Sequence, residues 1–349
     1  MVRRFPLVLL MLFAVALAGS ETRATDPAAV ARRTVEQWLD GKLSPGYDLN
    51  ELRGMTPEEA ANWLRNYLAF PPPPPGLEVN LEDPEVKELP DGYRVGFPAT
   101  LGQEGGEVIV RLSKGEPVGI SWKPNGGMLP PWVRSNTAAL LFAAASILLA
   151  LQLLQGGVTR LWRAAWVLLA PYKKLYLLVN LLLYGLFVLG AAAAYAAPEL
   201  ARAVQEGVGM ALETIGLGNA AQMGMSKLAW VIFYWNFSHG LLLTSFLPAV
   251  FFGVPALLIN MGRYLAFGFA LSPATFSWSA YVYHLPTLLI ELQAYILVTF
   301  GGLVLLWETL KGRGYRYGLN LLGLTLLLGT LFLIAGAWYE AYELLYLLR

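Results

Sequence analysis

Four side chains in the C-terminal half carry chemistry into an apolar background: Asn236 in FYWNFSHG, His239 three residues on, Arg263 in NMGRYLAFG and Glu291 in LPTLLIELQAY. A charge at membrane depth is costly unless it meets a partner, a wet cavity or a functional need. An acid and a guanidinium can neutralise each other, an amide can complete their hydrogen bonds, and an imidazole can take or give a proton near neutral pH. Such a set serves either as a path for protons or substrate, or as polar glue that fixes helix register.

Other chemistries are removed by what the chain lacks. No Asp follows Asp91, so an intramembrane aspartyl dyad is excluded, and the only histidines are His239 and His284. HExxH, GxSxG, P-loop and GxGxxG patterns are absent. Ser238 beside His239 is the nearest thing to a nucleophile and base, but neighbours on an α-helix point about 100° apart. There is no cysteine, which removes disulfides, thiolate metal sites and cysteine catalysis. The reading is a non-enzymatic protein with no cofactor and no metal. A net charge of +1 gives no field for nucleic acid.

The elements that must position these residues are membrane spans. With 56% hydrophobic residues, 14% charged and a mean hydropathy of +0.51, the chain is far more apolar than a soluble domain of 349 residues. About six spans are expected: Asn136 to Leu154, Leu175 to Ala197, Leu228 to Leu247, Val250 to Leu271, Leu285 to Leu306 and Leu319 to Tyr339. Arg160, Arg163, Lys173 and Lys174 between the first two, and Lys311, Arg313 and Arg316 between the last two, mark both loops as cytoplasmic. Counted inward from the outer ends, Asn236, Arg263 and Glu291 all fall roughly 9–12 Å deep, so a Glu291–Arg263 ion pair completed by Asn236 is expected, with His239 one turn away.

Before the spans the composition changes. Residues 1 to 24 read as a signal peptide, with Arg3 and Arg4, an apolar run and a cleavage site near Ala18. Residues 25 to 132 hold every Asp of the chain and the PPPPP run, and read as a small extracytoplasmic α+β domain. Helices are expected in PAAVARRTVEQWLDGKL and TPEEAANWLRNYLAF, strands in LEVNL, GYRVGFPA, EVIVRLS and PVGISW, and turns in KELPDGYR and SKGEPV. Residues 133 to 349 form the transmembrane domain. Two further helices, VTRLWRAAWVLLAPYKK and PELARAVQEGVGMALETIGLG, are amphipathic and suit the interfaces.

From about residue 175 to 349 the order of features resembles the stage II sporulation protein M family of integral membrane proteins. The resemblance rests on Asn236, then Gly253 and Pro255, then Leu285, Pro286, Glu291 and Ala294 in LPTLLIELQAY, then Ala335, Gly336, Glu340 and Ala341 in IAGAWYEAY. Thr287 and Leu288 stand where that family commonly has His and Gly. The resemblance implies a cell-membrane scaffold that gathers cell-envelope, peptidoglycan-remodelling partners, with Pro286, Glu291 and Glu340 as the shared motif residues. The composition-based alternative is a permease-like transport subunit with a path lined by Asn236, Arg263 and Glu291. Either would have the lipid bilayer and membrane or exported proteins as partners, a second copy of the chain among them, with the N-terminal domain and the C-terminus outside.

Overall fold

A computed structural model describes residues 26–46, 53–125, 129–214 and 223–348. The expected signal peptide lies outside the described residues. The chain divides into two compact units, one of Met1–Asp48 with Asn66–Asn125 and one of Leu49–Arg65 with Gly126–Arg349.

The first unit is a twisted antiparallel sheet carrying helix α1 (Pro27–Leu39). Asp26 caps α1 by accepting from the Ala28 amide at 3.0 Å, and Pro27 follows as its first residue. Strands β1 (Leu77–Val79) and β2 (Glu85–Leu89) lie in succession along one side of β3 (Gly92–Leu101), with β4 (Glu104–Ser113) on the other side and β5 (Glu116–Pro124) beyond it. Val95 and Phe97 of β3, Val108 and Val110 of β4 and Ile120 of β5 point to one face and bury Ala31, Val35 and Trp38 of α1 beneath them. The β4–β5 turn holds both central residues at positive φ, Lys114 at 53° and Gly115 at 82°, the geometry a two-residue hairpin demands. Strand β2 was not expected. Its residues EVKEL are exposed throughout, so no buried face stamps an alternating pattern on them, and backbone pairing to β3 alone defines the strand.

Helix α2 (Pro57–Ala69) opens on a capping box. The Glu59 amide donates to the Thr56 hydroxyl at 3.3 Å, and the Glu59 carboxylate accepts from the Thr56 amide at 2.7 Å and its hydroxyl at 3.0 Å. The Thr56 amide, and then its hydroxyl, hold the Glu59 carboxyl below the usual carboxylate range. A lowered folded value means the cap's contribution is present above the ordinary carboxylate range and is lost as pH falls through the lowered value. The melting temperature of Glu59→Ala should therefore lie below that of the wild type at neutral pH, and the gap should close on acidification. A gap that stays constant into acid would remove the carboxylate from this role.

The second unit is helical, and the number of spans differs from expectation. Among the described residues four helical runs are long and apolar enough to cross a membrane: α3 (Asn136–Leu154), Gly157–Ala196, α9 (Trp278–Leu310) and Tyr315–Leu347. The second of these holds α4 (Gly157–Leu169) and α5 (Lys173–Ala196), followed by α6 (Pro198–Thr214). The fourth holds α10 (Tyr315–Tyr342) and a π-helical turn, Glu343–Leu347. Six regular spans are not found. Leu228 to Leu247 is divided among α7 (Met225–Trp235), a π-helical segment (Asn236–Phe246) and a short turn, Leu247–Ala249. Val250 to Leu271 yields only α8 (Val254–Ala270), because Phe252 at φ 66° and Gly253 at φ 73° break the chain before Pro255. Its 17 residues measure about 25 Å, short of the ~30 Å hydrocarbon core.

Helix α9 is the central post. Of its most apolar stretch 72% is buried within the protein, against 11% of α3, which stands at the periphery. Leucines exposed on α3, α5 and α8, such as Leu140, Leu181 and Leu258, form an outward apolar surface that water would not tolerate at this density. Helices α5 and α8 touch through glycine: a Cβ on Gly190 would lie 2.1 Å from the Leu265 oxygen, and one on Gly268 1.9 Å from the Phe187 oxygen. Ser272 adds a hydrogen bond to the Ala191 carbonyl at 2.9 Å. At the far end of α9, Glu308, almost wholly buried, pairs with Arg313 of the following turn at 3.2 Å. Within the same unit Arg65 pairs with Glu199 at 3.2 Å and Glu206 at 3.5 Å, so two of the acids of α6 have a cation partner.

Candidate functional site

The site is built on one face of α9. His284, Thr287, Glu291, Tyr295 and Thr299 follow one another at intervals of three, four, four and four residues, which returns each to nearly the same side of a helix. Over fifteen residues this row climbs about 22 Å, most of a bilayer core. A helix exposing such a row to lipid would be unstable, so the neighbours must supply partners.

Glu291 meets two of them. Asn236, the first residue of the π-helical segment, donates its side-chain amide to Glu291 Oε1 at 2.5 Å. From the other side Glu340 of α10 brings its carboxyl toward Glu291, close enough for the two groups to interact. Two carboxylates have no hydrogen to bridge them, so a direct bond between these side chains needs one of them protonated. Gly336, one turn before Glu340, admits Glu291: a Cβ there would come 3.3 Å from Glu291 Cγ. One step toward the end of the helices, Glu343, fully buried, accepts from the Thr287 hydroxyl at 2.9 Å and lies 2.9 Å from His284 Nδ1. The outcome is a chain of protonatable groups, from half-buried His284 through Glu343 and Glu340 to Glu291.

Arg263 is elsewhere. The expected Glu291–Arg263 ion pair is absent among the described residues; the guanidinium is engaged by Tyr295, Thr244 and Asn260 instead. The guanidinium lies over the Tyr295 ring at 4.6 Å and over Phe267 at 5.2 Å. Its Nη1 donates to the Thr244 hydroxyl, to Asn260 Oδ1 at 3.2 Å and to the Gly240 carbonyl at 3.4 Å. Asn260, wholly buried, in turn donates to Ser245, Thr299 and the Ala256 carbonyl. The polar residues of the π-helical segment thus look inward while bonding their own backbone, Ser238 to Tyr234 and Thr244 to Gly240, which competes with regular α-helical turns.

His239 joins neither group. Its ring stacks on Trp235 with centroids 3.9 Å apart, and Nδ1 lies 2.8 Å from Ser238 Oγ. The widened π-helical turn brings these neighbours together where an α-helix would hold them apart. Ser238 already gives its hydroxyl proton to the Tyr234 carbonyl at 2.6 Å, so it accepts from Nδ1–H and is not activated as a nucleophile.

Sequence reasoning placed Asn236 beside Glu291 but missed Glu343, His284 and Thr287, and took Glu340 only as a motif residue. The row of intervals from His284 along one helix face was the available signal. No group of three His, Asp or Glu among the described residues is arranged to hold a metal ion. No family model, no curated protein and no solved structure matches the chain.

Proposed function

We propose that this chain is a permease-like membrane protein whose intramembrane carboxyls carry an exchangeable proton. One observation supports the reading above all: the carboxyls of Glu291 and Glu340 lie close together in the helical unit, with Asn236 bonded to Glu291 on one flank and the Glu343–His284 pair on the other. A carboxyl pair that needs one proton to exist is a binding site for that proton, and the half-buried His284 is its exchange route toward the end of the bundle. Packing alone would be served as well by apolar side chains, which pose no desolvation cost.

Two measurements test it. Infrared spectra of the purified chain should contain a protonated-carboxyl C=O band that shifts in D2O and disappears in Glu340→Gln. Liposomes holding the protein and a pH-sensitive dye should take up protons under an imposed potential faster than empty ones. Vesicles as tight as the controls would sink the transport reading. That result would leave the scaffold that the stage II sporulation protein M resemblance implies, with the α+β unit and its exposed strand β2 as the surface offered to cell-envelope partners.

The orientation proposed with this function places Lys311 and Arg160 inside and the α+β unit outside. Because the chain has no cysteine, single replacements report cleanly. Lys311→Cys should stay unlabelled by an impermeant thiol reagent in intact cells, and Lys114→Cys should react. Labelling of position 311 would invert the topology.

A further inference from the structure

Arg263 carries a full positive charge in the interior of the helical unit, and every partner it has among the described residues is neutral. Its oxygen acceptors include the Thr244 hydroxyl, the Asn260 side-chain amide and the Gly240 carbonyl, the Tyr295 hydroxyl lies within its reach, and its plane rests on the Tyr295 and Phe267 rings. Among the described residues no carboxylate lies within ion-pair distance; the carboxyl of Glu291 is bonded to Asn236 instead. All three of these hydrogen bonds leave from Nη1, so the Nε–Nη2 edge, the one that grips two oxygens at once, is not engaged by them. The guanidinium is meanwhile held in place: Thr244 comes from the π-helical segment, and Asn260, one turn back on α8, is itself fixed by Ser245 and Thr299. A positioned cation with a two-donor edge that these three bonds leave over, and with aromatic faces beside it, describes a receptor for an anion, not a counterion already spent.

We infer that Arg263 is the anchor of an anion site, taking a carboxylate- or phosphate-type group through its Nε–Nη2 edge, and that this anion is the substrate moved together with the proton. The second half rests on the proton-carrying reading above. The site itself does not.

The anion could be a free solute or a lipid headgroup, and the test separates them. The full chain is purified in a neutral maltoside without phosphate, and its melting temperature is followed against inorganic phosphate, against acetate and against added phosphatidylglycerol, with no proton gradient present. Saturable stabilisation by phosphate or acetate is expected. Arg263→Gln should weaken it about tenfold or more, the loss of a charge-assisted contact. Arg263→Lys, which keeps the charge and loses the fork, should bind measurably but less well, and it serves if the Gln variant does not fold. A response to phosphatidylglycerol alone, lost with Arg263, keeps the site, assigns it to a headgroup and overturns the substrate. No saturation by any of the three, or equal saturation without Arg263, overturns the site. Proton uptake failing in liposomes while anion binding persists would overturn the coupling only.

Discussion

Glu291→Gln should abolish proton movement while leaving the protein folded. The amide is nearly the carboxyl's shape. Its oxygen can accept from Asn236, and its NH2 can donate to Glu340, so both contacts survive in geometry. What is lost is the ability to give up and regain a proton. Removing a positioned proton carrier typically costs about 10²–10⁴ in rate, and proton uptake in liposomes should fall at least a hundredfold. Glu340→Gln should match it, because the pair functions as one site, and the double variant should be no worse than either alone. Wild-type uptake by Glu291→Gln at equal protein level would show that the carboxyl pair is glue.

The second large effect concerns the contact that holds α8 in place. Gly268→Val forces a branched side chain where the Phe187 carbonyl lies 1.9 Å from the Cβ position, and Gly190→Val does the same against the Leu265 carbonyl at 2.1 Å. The obstacle is backbone, which cannot rotate aside, so α5 and α8 must separate and lose the hydrogen bond from Ser272 to Ala191. We expect a loss of about 3 kcal/mol or more, at the upper end of what overpacking costs, read as a fall in melting temperature in detergent. The same two helices carry their own controls. Gly185 and Gly262 have nothing within 4 Å of a built Cβ. Alanine at either should be neutral or stabilising by up to ~1 kcal/mol, since it raises helix propensity without a clash. Equal sensitivity at all four glycines would mean the helices are not packed as described.

These two sites show where a sequence can be read and where it cannot. Composition alone determined a membrane protein with a polar unit before its spans, because apolar length and charge density are properties of the chain, independent of which helix meets which. The hairpin turn at Lys114 and Gly115 and the cap at Thr56 were equally legible, since their physics is local and spans only a few residues. Asn236 beside Glu291 was found by comparing depths along a helix, one coordinate that a sequence does carry.

Rotation about each helix and contact between helices are not written that way. Depth counting set Arg263 level with Glu291, and only tertiary structure decided that its partners would be Tyr295, Thr244 and Asn260. Glu340 and Glu343 escaped for a related reason. Their charges ended the hydropathy reading of the last span at Tyr339, so they were left outside the bundle, whereas the helix runs on to Tyr342 and Glu343 just beyond it is fully buried. A buried carboxyl and a solvated one look alike in a sequence, because what separates them is the partner, and the partners of Glu343 lie 56 and 59 residues away at Thr287 and His284. The six-span expectation failed for the same cause. Eleven residues from Asn236 to Phe246 are apolar enough for an α-helix. They take a π-helical course in which Thr244 and Ser245 meet Arg263 and Asn260 of α8, contacts with another element that leave no mark in the segment's own pattern.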